Sequence, residues 1–147
     1  MDLDEDETIY TQKLIQPVSD KNRIVLCGSK QVQKDIINLA KVLKSLHFEV
    51  IVPREFFDDL DKYIATKEHI SQIIDDKTYA ILVVNNRAYD KDNYIGANTF
   101  AEIAFAFYYN KKVYLLNDIY EPYREELDGW NIKCCNGKLN KLIKDSM

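Results

Sequence analysis

Short apolar runs alternate with stretches of helical period through most of the chain. Ile24-Val25-Leu26-Cys27, Phe48-Glu49-Val50-Ile51-Val52, Ala80-Ile81-Leu82-Val83-Val84 and Lys112-Val113-Tyr114-Leu115-Leu116 each have the length and content of a strand. Between the first two, Val32, Ile36, Ile37, Ala40, Leu43 and Leu46 recur at helical spacing and predict an amphipathic helix. Leu60, Tyr63, Ile64, Ile70, Ile73 and Ile74 predict a second, more polar helix, and Phe100, Ile103, Ala104 and Phe107 a third. Short helices are expected over 121–130 and 138–144. This alternation is the mark of βαβ units around a mostly parallel sheet.

The third run is the most apolar and is flanked by polar residues, as expected of a central strand buried on both faces. Right-handed crossovers then leave few topologies. The chain is predicted to be an α/β, flavodoxin-like (Rossmann-like) doubly wound parallel sheet of order 2-1-3-4, with room for an extra edge strand. In that order strands one and three are neighbours, their helices leave to opposite faces, and a ligand crevice opens at their carboxyl ends. Residues 1–22 break the pattern: acidic residues from Asp2 to Glu7 precede Thr8, Thr11, Pro17 and Ser19. They predict an acidic, mobile arm with at most a short ordered piece around Ile9 to Ile15, leaving 23–147 as the single domain.

Composition narrows the classes. With 147 residues, 46% of them hydrophobic, the chain is large enough for one core. No stretch approaches the roughly 20 apolar residues of a membrane span, and the acidic N-terminus is unlike a secretory signal, so a cytoplasmic protein is expected. Of three cysteines, Cys27 lies in an apolar run while Cys134 and Cys135 are adjacent. That is neither a disulfide framework nor zinc-ligand spacing, so no metal or cofactor is expected. A net charge of −4 argues against a nucleic-acid partner, and the interrupted Lys133, Lys138, Lys141 and Lys144 read as a solvated tail. Neither glycine-rich phosphate-loop pattern occurs, which leaves triphosphate chemistry unsupported.

Topology brings three segments to the crevice: Gly28-Ser29 after strand one, Asn85 after strand three, and the loop running through Tyr94, Gly96 and Thr99. Each has two readings. Gly28-Ser29 is either a plain turn with Ser29 as helix cap or a ligand contact. Asn85 either caps its own strand end or faces a ligand. Thr99-Phe100-Ala101-Glu102 fits a capping box, in which Glu102 reaches back to the Thr99 backbone. A carboxylate one turn into a helix at the mouth of a crevice can also act as nucleophile or base, with Tyr89 and Tyr94 as a stacking wall. His69, Asp75 and Asp76 belong to the helix before strand three, whose end lies at the opposite sheet edge, so surface or packing roles are expected of them.

Taken together, Gly28-Ser29, His69-x-x-x-Ile73, Val83-Val84-Asn85, Tyr94-Ile95-Gly96-x-x-Thr99-x-x-Glu102-Ile103 and Lys112-x-Tyr114-Leu115 resemble the nucleoside 2-deoxyribosyltransferase-like superfamily. The likeness is to its short members with a G-Y-I-G-x-x-T-x-x-E-I motif and covers roughly residues 23 to 117. It implies a small-molecule nucleoside or nucleotide partner and a glutamate, here Glu102, that attacks the anomeric carbon of a 2′-deoxyribonucleoside or its monophosphate. It equally accommodates a nucleotide-sensing module with little turnover. Transferases of that superfamily carry Asp six residues before the glutamate, where this chain has Gly96; Asp90 and Asp92 are the nearest carboxylates on the same loop. The resemblance also implies a homo-oligomer, for which Phe105, Tyr108 and Tyr109 offer an interface.

Overall fold

A computed structural model describes residues 5–15 and 20–147. Five strands, β1 (Arg23–Cys27), β2 (Glu49–Ile51), β3 (Thr78–Val83), β4 (Lys112–Leu115) and β5 (Lys133–Cys134), form one sheet in the order β2-β1-β3-β4-β5. Every pairing is parallel. This is the predicted flavodoxin-like arrangement, and β5 is the extra edge strand, pairing Tyr114 with Lys133 and Leu115 with Cys134.

Side chains of period two divide the core between the sheet's faces. Ile24 and Leu26 of β1, with Ala80 and Leu82 of β3, meet α2 (Gln33–Ser45) through Ile36, Ala40 and Leu43. Leu142 and Ile143 of α6 (Asn140–Ser146) join the same layer. Val25, Cys27, Ile81 and Val83 point the other way, towards Ile73 of α3 (Lys62–Ile74) and Ile103 and Ala106 of α4 (Ala97–Tyr108). Leu127 of α5 (Arg124–Gly129) completes that second layer. No helix among the described residues is long and apolar enough to cross a membrane.

The structure differs from the expected mobile arm. Residues Glu5–Ile15 form a helix, α1, that lies against α6, and Ile9 is only 3% exposed within the first layer. Lys13 is buried with it, its ammonium 4.1 Å from the Phe48 ring centroid and 3.3 Å from Ser146 Oγ. A lysine in the inward stripe hides the amphipathic period, because its apolar stem packs while its head is counted as polar. The remaining expectations for 1–4 and 16–19 lie outside the described residues.

Candidate functional site

The carboxyl ends of β1 and β3 open onto a cavity of about 200 Å³ that gathers Gly28, Ser29, Tyr94, Gly96 and Thr99 with Lys30, Glu55, Lys62 and Asn98. Five of the nine residues expected at the site thus share one wall-to-wall space. Gly28 has a packing reason of its own: a Cβ there would stand 2.9 Å from Ile36 Cδ1 and 3.2 Å from the Val84 carbonyl oxygen. Ser29 caps the 3-10 turn Lys30–Val32, its Oγ accepting from the Gln31 N–H at 3.1 Å. The plain reading of both residues is therefore realised, and they face the cavity as well.

The other expected residues lie elsewhere. Asn85 is wholly buried and ties the ends of β3 and β4 together: its amide donates to the Asp118 carbonyl at 2.7 Å and its Oδ1 accepts from Asn117 N–H at 2.9 Å. Asp92 pairs with Arg87 and lines a separate, open hollow of about 520 Å³ with Lys91, Asn93 and residues 118–122. Asp90 is fully exposed, 3.9 Å from Arg87. It shares a tight turn with Tyr89, both at positive φ (+58° and +52°), closed by the Ala88–Lys91 bridge. A left-handed Tyr costs on the order of 1 kcal/mol, and here the turn brings Tyr89 edge-on to Tyr94 at 5.2 Å. Tyr94 in turn meets Tyr120 at 5.6 Å.

The capping box does not form. Helix α4 starts three residues earlier than that pattern requires, with Gly96 as N-cap and no side-chain cap, so Thr99 sits inside the first turn and Glu102 in the second. The first helical N–H groups, which have no partner within a helix, therefore border the cavity. Gly96 leaves room for the Tyr94 hydroxyl, which would stand 3.2 Å from a Cβ at that position.

Glu102, freed from capping, turns inward and is 3% exposed. It is not part of the cavity wall; Asn98, which is, donates down to Glu102 Oε1 at 3.4 Å. On the other side Glu102 Oε2 stands 2.9 Å from His69 Nε2. That is ion-pair distance without hydrogen-bond alignment, and Glu102 Oε2 and His69 Nδ1 both remain buried without an aligned hydrogen-bond partner. Cys27 Sγ lies 3.6 Å from the same His69 Nε2. Burial pulls the His69 imidazole down, but the Glu102 carboxylate and the Gln72 side chain outweigh it and leave its pKa raised. Burial, and then the Glu102 carboxylate, push the Cys27 thiol far up, so it stays protonated and is no nucleophile as it stands.

Of the two roles expected of His69, surface or packing, the structure has the buried one, and it sets the ring beside Cys27. The end of α3 does lie at the opposite sheet edge, where Asp75 meets Arg23 at 3.1 Å. His69 is about one and a half turns before that end and faces α4. A signal for it was present: Ala65, His69 and Ile73 are the buried stripe of α3 at i, i+4 and i+8, and histidine is the polar member. Among the described residues, Cys27, His69 and Glu102 are the group whose donor atoms lie close enough to share an ion, within 4.8 Å of one another. No family model, curated protein or solved structure matches the chain.

Proposed function

We propose that the cavity binds a 2′-deoxyribonucleoside or its monophosphate and that Glu102 opens its N-glycosidic bond, with water or a second base as acceptor. The observation carrying this reading is a glutamate buried directly beneath a polar cavity and oriented from both sides, by Asn98 on Oε1 and His69 beside Oε2. A carboxylate oxygen forms the bond to C1′ while the C1′–N bond breaks and its electrons leave with the base, which takes up a proton. Attack by the acceptor on the resulting glycosyl ester restores Glu102 and retains configuration. Asn98 must swing aside for the sugar to reach Glu102, and the leaving base draws its proton from solvent in the open cavity that Tyr94 lines.

Chromatographic base release from a panel of deoxynucleosides and 5′-monophosphates, with and without an acceptor base, tests this. Glu102→Ala should lower release by roughly 10⁴-fold or more, as loss of a nucleophile does. No release by the wild-type protein from any of them would sink the enzymatic reading. The burial of Glu102 outside the cavity wall favours a second reading, a nucleotide-sensing module with little turnover. It expects thermal stabilisation by one nucleotide of the panel, about 2.7 kcal/mol at 100 times its Kd, with no base released. Phe105, Tyr108 and Tyr109 stand exposed together on and after α4, Tyr108 at 78%, which supports self-association through that face. Light scattering at the monomer mass of 17.2 kDa would remove it.

A further inference from the structure

We infer that Cys27, His69 and Glu102 form a binding site for a divalent transition metal of the zinc class. The three donors come from the end of β1, the middle of α3 and the second turn of α4, which the packing holds together at 0%, 7% and 3% exposure. Zinc bonds of about 2.3 Å to sulfur and 2.0–2.2 Å to nitrogen and oxygen set tetrahedral ligands about 3.3–3.6 Å apart. The Cys27 Sγ–His69 Nε2 separation of 3.6 Å already matches. His69 Nε2 and Glu102 Oε2, at 2.9 Å, need to part slightly, and no pair of donors exceeds 4.8 Å.

A self-contained hydrogen-bond network is the competing account, and it leaves the cluster incomplete. Glu102 Oε2 has no aligned donor although it is fully buried, and it points at the imidazole nitrogen that also faces the thiol. A cation among the three atoms completes all of them. The outer contacts suit this: Asn98 holds the carboxylate oxygen that does not face His69, and Gln72 is the other polar neighbour of the ring. One thiolate, one imidazole and one carboxylate select zinc or cobalt over calcium or magnesium and leave a fourth position for water. Coordination expels the Cys27 proton, and that of His69 where it is charged, to solvent. It also occupies Glu102, so metal-loaded protein should release no base; the site itself stands on its geometry and does not require the glycosidic reading.

Titration of the full chain with Co²⁺ tests it. A near-ultraviolet thiolate-to-cobalt band should saturate at one ion per chain and be displaced by Zn²⁺. The band should persist in a C134S/C135S protein, where only Cys27 can supply the thiolate. Loss of a contact beyond the ligands costs about 10–100-fold in affinity, so Cys27→Ser and His69→Gln should each weaken Zn²⁺ binding, measured by calorimetry, by at least about a hundredfold. Circular dichroism establishes that each variant is folded. Absence of the band in the wild-type protein, or its survival when Cys27→Ser is added to the folded C134S/C135S protein, would overturn the site whatever the base-release assay shows.

Discussion

The two faces of the sheet are built from the same strands and have opposite interiors. The layer under α1, α2 and α6 is filled by aliphatic side chains from Ile24, Leu26, Ala80 and Leu82, and the buried ammonium of Lys13 sits at its margin over Phe48. The layer under α3 and α4 is equally apolar near the strand starts but ends, at the carboxyl edge, in Cys27, His69 and Glu102. A single step along β1, from Leu26 to Cys27, crosses from one kind of interior to the other. The difference teaches that the polar groups of the first layer stay at its margin, whereas those of the second are drawn together beneath the crevice.

Substitutions on the apolar face should show the largest stability effect. Leu82→Ala should cost about 2–5 kcal/mol in chemical denaturation, as a buried leucine generally does. A loss below 1 kcal/mol would mean that this layer is not the dominant core. On the polar face, with chelator present, His69→Leu should cost about 1–3 kcal/mol by leaving the Glu102 carboxylate without its neighbour. Adding Glu102→Met should restore most of that loss, since well-packed apolar replacements of a buried pair are commonly neutral or stabilising. Additive losses in the double variant would instead show that the two side chains act independently.

Lys13 allows the margin of the apolar face to be probed by pH. Burial lowers its pKa from the ordinary 10.5. The unfolded chain therefore binds more protons between the lowered value and 10.5, and stability should rise with pH across that window. Lys13→Met should remove this rise, as read from melting temperatures between neutral pH and 10.5. The smallest effect concerns thiol reactivity. Cys134, half-buried, should alkylate first, Cys135, pushed up to about 11 by burial, more slowly, and Cys27 only on unfolding. Mass spectrometry of the partly labelled protein reads that order, and early labelling of Cys27 would contradict the closed cluster.

Much of the architecture was legible from pattern alone. Uninterrupted apolar runs such as Ala80 to Val84 belong to strands covered on both faces, and one allowed crossover hand leaves little choice of order once four such runs are known. The crevice residues around Gly28, Tyr94, Gly96 and Thr99 were legible for the same reason, since topology alone takes their loops to one edge. Helix α1 was legible only as a short ordered piece around Ile9 to Ile15, because a buried lysine disguises its inward stripe. Asn85 was placed at the right strand end, yet only the neighbouring Asn117 and Asp118 show where its amide is spent.

The sequence by itself determined the doubly wound sheet and the crevice at its carboxyl edge, because these follow from local period, strand composition and connection handedness. Tertiary structure alone decided what Glu102 does with its carboxylate. A capping box and a buried cluster share one local pattern, and the choice turned on helix α4 beginning after Gly96. It turned equally on α3 lying alongside to present His69, and on β1 ending at Cys27. Residues 27, 69 and 102 are too far apart in the chain for any spacing rule to join them, and only the packing of two helices on one strand end does so.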